Sequence, residues 1–298
     1  MAETVEDWKR IHGCDQRSAT VCFRHEALEA AEDDDDDECR SVGCGRQTRS
    51  SSGGGVVEVS QRGSGSKQFV ANTSTVIWPI CLVAAERFCD ATLGYRRGGC
   101  GGTAAAKAGE GEQSERRRLC ELARELIVTR DTHVLELGSG LGMLGIVLSR
   151  LGAHVTLTDE SLELLGDNVS ASGSARARAA KLEWAIRDEG DGQWTAVEKF
   201  AKEYKSTHSD ELPHLILGTD LLYSQTKRTF RALVHTMAEL ADEDTTILIG
   251  YEDRGDWSQL ATFFEFGEAV GLYGSAEPFS DDNEDLLLIS LKKRSGLE

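Results

Sequence analysis

The chain lacks the features that would place it in a membrane, in a secretion pathway or around a structural metal. None of its apolar runs reaches the roughly 20 residues needed to span a bilayer, and residues 1–7 have neither a basic start nor an apolar segment. We therefore expect no secretory signal and no membrane, and a cytoplasmic or nuclear protein whose eight cysteines are reduced. The cysteines also lack the tight paired CxxC spacing of strong zinc sites, so we expect no metal.

Basic residues are also in short supply. The chain has 33 lysines and arginines against 51 aspartates and glutamates, which gives a net charge of −18. This balance repels a polyphosphate backbone, so nucleic acid is not an expected partner. An acidic protein suits a basic protein substrate, although the same charge would also serve solubility alone.

Composition divides the chain into two parts. Residues 1–55 contain an acidic run at 32–38 and Gly/Ser-rich sequence, which predicts a disordered low-complexity region with at most a short helix, for example around 18–30. Residues 56–298 have the apolar periodicity of a globular domain, interrupted by a Gly-rich surface insert at about 94–111.

In the second part, apolar segments alternate with amphipathic ones, which predicts a Rossmann-like, doubly wound α/β fold. We expect one seven-stranded sheet, mostly parallel, with an antiparallel C-terminal hairpin because no convincing helix separates the last two strands. The predicted strands lie at 133–137, 154–158, 182–186, 214–219, 245–251, about 271–276 and 285–292. Upstream, a strand at 56–59 is predicted to pair with 67–70, and a helix to begin at Pro79.

The first central strand leads into the most informative motif of the chain. The segment Val134–Gly142 reads VLELGSGLG, an apolar run followed by glycines spaced for a tight strand-to-helix turn. The next strand ends on Asp159, about 20 residues after Gly138, which is the spacing of a nucleoside-binding βαβ unit. Gly138, Ser139 and Gly140 would then place backbone against the ligand, and the Asp159 carboxylate would accept hydrogen bonds from ribose hydroxyls. The alternative is that Asp159 only caps the following helix.

The segment Gly140–Gly145 also matches GxGxxG literally, which would favour a dinucleotide. The acid Glu136 in the preceding strand weighs against that interpretation. A diphosphate gains from a helix N-terminus with no carboxylate nearby, whereas a cationic sulfonium tolerates one.

Five segments in this order resemble the protein-lysine methyltransferases of methyltransferase family 16, within the seven-β-strand class. Along the chain they are Val76–Pro79, Glu136–Gly142, Leu157–Asp159 with the helix that reaches Asn168, Leu182–Trp184, and Ile216–Tyr223, which ends in the D-x-x-Y signature of this branch. The resemblance covers roughly residues 56–298 and implies a protein-lysine N-methyltransferase that uses S-adenosylmethionine. The chain departs from the pattern at Ala185, where the family usually has glycine.

The resemblance also implies which side chains would meet the cofactor. Trp78, Glu136 and Thr219 would lie beside it, and Trp184 would line the adenine site. An indole can cover a base and donate from its ring nitrogen. Either tryptophan could instead be only a packing anchor.

Asp220 and Tyr223 are the predicted catalytic residues. An amine attacks a sulfonium methyl group only with its lone pair free, and a carboxylate and a phenol at one strand tip could hold the amine and receive its proton. The alternative is that Asp220 caps a turn and Tyr223 packs in the core. Three other functions stay open: methylation of a small-molecule amine or of nucleic acid, a catalytically silent binding protein of the same fold, and an NAD-dependent enzyme.

Overall fold

The computed structural model describes residues 20–28, 56–60, 79–96, 126–187, 193–222, 225–255, 257–280 and 283–294. The strands in these ranges are β1 (Thr20–Arg24), β2 (Val56–Ser60), β3 (His133–Leu137), β4 (His154–Asp159), β5 (Ala177–Lys181), β6 (Leu215–Thr219), β7 (Thr246–Glu252), β8 (Leu272–Ser280) and β9 (Asn283–Lys293). The helices are α1 (Pro79–Arg96), α2 (Met143–Arg150), α3 (Glu163–Ser172), α4 (Gln193–Thr207), α5 (Lys227–Glu239) and α6 (Trp257–Ala269). None of these helices has the combination of length and apolar character that crossing a bilayer requires.

The larger sheet has the strand order β5-β4-β3-β6-β7-β9-β8. Strands β3 to β7 run parallel to one another, whereas β9 runs antiparallel to both β7 and β8. This confirms the predicted fold class, a mostly parallel seven-stranded sheet with an antiparallel C-terminal hairpin. The chain moves outward from β3 through β4 to β5 on one side and from β6 to β7 on the other. In open α/β sheets such a switch point leaves a crevice at the carboxyl ends of the strands.

Two hydrophobic cores cover the two faces of the sheet. In the first core, Val134 of β3 packs with residues of α1, α2 and α3. In the second core, on the other face, Leu135 and Leu137 of β3 pack with residues of α4, α5 and α6. Successive side chains of a strand point to opposite faces, so one short strand contributes to both cores. Strands buried on both faces appear as continuous apolar runs, which is why the central strands are recognisable in the sequence.

Helix α1 begins at Pro79, as predicted. One apolar face of the helix is buried, at Ile80, Val83, Ala84 and Phe88. The helix continues to Arg96, so the first residues of the predicted 94–111 insert are helical, and the rest of that insert lies outside the described residues.

The predicted position of the third strand of the large sheet is wrong. The prediction was 182–186, but the strand is β5, which pairs in parallel with β4 and places Ala177 opposite Val155. Alanine and charged residues have weak strand propensity, and β5 is a half-exposed edge strand without a clear alternation of buried side chains. The apolar residues Leu182 and Trp184 follow β5 at the carboxyl edge of the sheet.

A small two-stranded sheet lies beside the first core. Strand β2 pairs with β1, with Thr20 opposite Ser60, in a part of the chain where we expected at most a short helix around 18–30. β-branched and aromatic residues in β1 favour a strand, and the buried Phe23 and Leu28 join the core. The predicted disorder of residues 1–55 is therefore wrong for residues 20–28 and stays a prediction for the others. The predicted partner at 67–70 lies outside the described residues.

A buried amide connects this small sheet to the turn after β3, residues 138–142, which we call the glycine turn. The Asn168 side chain of α3 donates to the carbonyl oxygens of Ser60 and Leu141 at 3.1 and 3.0 Å, and its Oδ1 accepts from the Ser60 N–H at 2.8 Å. Asn168 is buried, with only 2 % of its surface exposed. Asn168 thereby ties β2, α3 and the glycine turn together.

We expect Asn168→Ala to lower the free energy of unfolding by about 1–3 kcal/mol, because the buried Leu141 carbonyl loses its side-chain partner. Urea unfolding followed by circular dichroism measures this. Ser170→Ala is the control on the same helix, since the Ser170 hydroxyl bonds to the Gly166 carbonyl at an exposed position. Equal effects of the two substitutions would contradict the connecting role of Asn168.

Candidate active site

The glycine turn has a backbone that only glycine adopts readily. Gly138 and Gly140 have φ angles of 57° and 55°, in the left-handed region. The turn is fixed against β4, since the Ser139 N–H donates to the Thr158 carbonyl at 2.8 Å. Gly138 also has no room for a side chain, because a Cβ there would lie 2.7 Å from Leu221 Cδ2 and 3.3 Å from Trp184 Cζ2.

Asp159, the last residue of β4, directs its carboxylate at the glycine turn. Its Oδ2 accepts from the Gly140 N–H at 2.9 Å, and its Oδ1 accepts from the Ser161 N–H at 3.0 Å. Burial raises the pKa of Asp159, and the backbone hydrogen bonds from Ser161, Gly140 and Glu160 oppose that rise. Helix α3 begins at Glu163, so Asp159 does not occupy its N-cap position. The sequence alternative of a simple helix cap is therefore wrong, and the ribose contact stays a prediction.

Glu136 lies beneath the turn in a buried environment, with only 2 % exposure. Its Oε2 accepts from the Gly145 N–H of α2 at 3.1 Å. Burial raises the pKa of Glu136 to about 8, against the lowering effect of hydrogen bonds from Ser139 and Gly145. We predicted a cofactor contact for this residue. In the structure its carboxyl group contacts the first turn of the helix that follows the glycine turn, and the cofactor contact stays a prediction.

Asp220 follows β6 in an unusual backbone conformation. Its φ of 57° is in the left-handed region, which is uncommon for a residue with a side chain. Its N–H donates to the Gly250 carbonyl at the end of β7, at 2.9 Å. The carboxylate accepts two hydrogen bonds from the Arg254 guanidinium, at 2.8 and 3.1 Å, and its side chain is 5 % exposed. Burial raises the pKa of Asp220, while the hydrogen bonds and charge of Arg254 lower it.

Arg254 also binds Glu252, the last residue of β7. The Arg254 Nη2 to Glu252 Oε2 distance is 2.8 Å. Sequence reasoning missed both residues. The one available signal is their position, since Glu252 and Arg254 directly follow the predicted strand 245–251 at the edge where ligands of this fold class bind.

The other predicted residues have mixed outcomes. Trp184 is half-buried, packs against the second core and lies beside Gly138, so it is a packing residue that also faces the turn. Thr219 ends β6 opposite Gly250 of β7. Trp78 and Tyr223 lie outside the described residues, so their roles stay predictions. Within the described ranges, no three His, Cys, Asp or Glu side chains are grouped to hold a metal ion.

Of the predicted cofactor and catalytic residues, those in the glycine turn, Asp159 and Asp220 lie at one edge of the sheet. The glycine turn follows β3, Asp159 ends β4 and Asp220 follows β6. The Leu221 side chain, directly after Asp220, covers Gly138. One packing contact therefore joins the loop that carries Asp220 to the glycine turn.

Comparison with known proteins identifies the family. A protein-family model described as lysine methyltransferase matches residues 121–268. Protein N-lysine methyltransferase METTL21A from Xenopus tropicalis is 31% identical over 184 residues, which cover 59% of this chain and 74% of the relative. EEF1A lysine methyltransferase 3 from the same species is 31% identical over 134 residues, which cover 44% of this chain and 51% of the relative, about half its length. The chain belongs to the lysine methyltransferase family, which confirms the family predicted from its motifs.

Solved structures show more distant likenesses. A TehB-like methyltransferase from Corynebacterium glutamicum is 18% identical with a TM-score of 0.42, and the match covers 62% of this chain and 97% of that one. The glycopeptide N-methyltransferase MtfA, solved with S-adenosylmethionine, is 13% identical with a TM-score of 0.43, covering 61% and 93%. At these TM-scores neither likeness bears on the chemistry of this chain.

We expect Gly145→Ala to destabilise the protein by about 1–3 kcal/mol through overpacking. An added Cβ would lie 2.4 Å from Glu136 Oε2 and 2.5 Å from Leu157 Cδ2, both in the buried interior. Gly166→Ala in α3 is the matched control, since a Cβ there meets nothing within 4 Å. That change should be neutral or slightly stabilising. Thermal unfolding of the two variants measures the difference, and equal melting temperatures would contradict the close contact at Gly145.

Proposed function

We propose that this chain is an S-adenosylmethionine-dependent protein-lysine N-methyltransferase. The observation that carries the proposal is the position of Asp220, a buried carboxylate on the loop that packs against the glycine turn. The relatives named as lysine methyltransferases support the same activity. Asp220 is the proposed catalytic residue, and Tyr223 is its proposed partner from the D-x-x-Y motif.

The described residues fit S-adenosylmethionine as the methyl donor. Gly138 and Gly140 present backbone where any Cβ would be strained, and Trp184 flanks the same turn. The Asp159 carboxylate accepts N–H groups from Gly140 and Ser161, and a backbone hydrogen bond from Glu160 also acts on it. A carboxylate offers about four acceptor positions, so one remains for the ribose hydroxyls. When bound, the cofactor supplies a methyl group on a positively charged sulfur. Glu136 would act through the helix start that it supports, and Thr219 and Trp78 would border the site.

Methyl transfer requires that the substrate lysine reacts as an uncharged amine, so the site must remove a proton from its ammonium group. A lysine ammonium has a pKa of about 10.4, so fewer than about one in a thousand is neutral at pH 7. The Asp220 carboxylate can accept a hydrogen bond from the ammonium, orient its nitrogen and receive the proton that leaves. Proton transfer to a positioned side chain contributes typically 10²–10⁴-fold to a rate. Holding the amine in line with the donor contributes through proximity.

The substrate class follows from charge. A chain with net charge −18 attracts a basic protein segment and repels a polyphosphate, so a protein that presents a lysine is the proposed partner. The described Cys81 and Cys89 are not in disulfides, which fits the cytoplasmic or nuclear location that we propose.

We expect Asp220→Asn to reduce methyl transfer from S-adenosylmethionine into protein by about 10²–10⁴-fold, because the amide cannot receive the proton. Radiolabelled transfer into cell extract measures this, with calorimetry to show that cofactor affinity is retained. Asp210→Asn is the matched control, since Asp210 also has a left-handed φ of 70° but is exposed and precedes β6 at the opposite edge.

Full turnover by Asp220→Asn would contradict the catalytic assignment. Cofactor binding without any labelled protein would favour a small-molecule amine as the acceptor. Neither binding nor transfer would favour a binding protein that keeps the fold without its chemistry.

A further inference from the structure

The carboxylate proposed to receive the substrate proton is held on both oxygens by another side chain. Arg254 Nη1 lies 2.8 Å from Asp220 Oδ1, and Nη2 lies 3.1 Å from Oδ2. A planar guanidinium that meets a carboxylate in this way fixes the plane of the carboxylate as well as its distance. The Arg254 side chain is 27 % exposed, and that of Asp220 is 5 % exposed, so the pair is largely shielded from solvent.

The backbone around Asp220 is fixed from the same side. The Asp220 N–H bonds to the carbonyl of Gly250 in β7, and Arg254 follows β7 by two residues. Main chain and side chain of Asp220 are therefore both attached to the end of β7. An αL backbone is retained only where surrounding contacts determine it, as they do here.

Arg254 is one positive charge that contacts two negatively charged side chains. Its guanidinium contacts two carboxylates, Asp220 and Glu252, and the Glu252 side chain is 14 % exposed. Without the arginine, two carboxylates would remain close together, one of them buried. Burial and Glu252 both raise the pKa of Asp220, and Arg254 supplies the contributions that lower it. A protonated Asp220 could not take a proton from an amine.

We infer that Arg254 is a positioning residue that holds the Asp220 carboxylate charged and in one orientation toward the substrate amine. This role rests on the proposed function. The lone pairs of Asp220 that Arg254 leaves open are the ones available to the substrate, since each carboxylate oxygen offers about two acceptor positions. Glu252 accepts from Nη2, the same nitrogen that donates to Asp220 Oδ2, and helps to keep the guanidinium in place.

The test compares wild type with Arg254→Gln and Arg254→Lys in methyl-transfer kinetics across pH. In Arg254→Gln we expect kcat to fall about 100-fold, the scale of a small misplacement of a reacting group. The acid limb of the pH–rate profile should also move to higher pH, because Asp220 must be unprotonated to act and loses the cation that lowers its pKa. Arg254→Lys should restore the position of the acid limb but only part of kcat, since an ammonium keeps the charge without the paired hydrogen bonds.

Arg176→Gln is the matched control. Its Nη1 lies 2.8 Å from His154 Nε2, at the amino end of β4 and away from the candidate site. The same loss of charge there should leave kcat and the pH profile unchanged. Calorimetric titration of S-adenosylmethionine should give wild-type affinity for all three variants.

Three outcomes would overturn the role, in whole or in part. If wild type transfers methyl groups and Arg254→Gln has the same kcat and the same acid limb, only the role of Arg254 is wrong. If wild type binds cofactor but transfers nothing to protein or peptide lysines, the proposed function fails and the role of Arg254 fails with it. If kcat falls but the acid limb of the pH–rate profile does not shift, Arg254 is only a structural contact. The inference that it keeps the Asp220 carboxylate charged would then be wrong.

Discussion

The candidate site depends on the hydrogen bond from the Gly140 N–H in the glycine turn to the Asp159 carboxylate at the end of β4. The carboxylate is buried at 6 % exposure, where an unpaired charge would be strongly destabilising. Hydrogen bonds to charged groups contribute about 1.5–3 kcal/mol each. The bond therefore stabilises the folded chain and at the same time fixes the glycine turn above the crevice. Glu136 and Asn168 support the same turn from below and from the side.

The second half of the site is joined to the glycine turn by a packing contact. Leu221 covers Gly138, and the absence of a side chain at Gly138 is what allows this approach. Asp220 precedes Leu221 in a left-handed conformation, which turns its carboxylate toward Arg254. The proposed cofactor turn and the proposed amine site are thus joined at the switch point of the sheet, the position where ligands of this fold class bind.

Much of this arrangement could be predicted from the sequence because its signals are local. A glycine turn after an apolar strand and an acid about 20 residues later are fixed by chain spacing. Strand β5 was misplaced, because an exposed edge strand made of Ala177–Lys181 carries little hydrophobic signal. The pairing of β1 with β2 was missed because the two strands are far apart in the chain.

The Arg254–Asp220 pair was also missed, and for a similar reason. It joins residues 34 positions apart through a tertiary contact that no spacing rule encodes. The sequence does show a carboxylate after one strand and charged residues after its neighbour. Only the parallel order of β6 and β7 shows that the two loops meet. The contacts of Trp78 and Tyr223 stay predictions from the family motifs.

The most direct test of the proposed cofactor site is a calorimetric titration of S-adenosylmethionine into wild type and Asp159→Asn. We expect wild type to bind and the variant to lose affinity about 100-fold, because hydrogen bonds to a charged acceptor are worth about 1.5–3 kcal/mol each. Asp131→Asn, at an exposed turn before β3, is the control and should bind like wild type. Equal affinity of wild type and Asp159→Asn would contradict the assignment of this edge as the cofactor site.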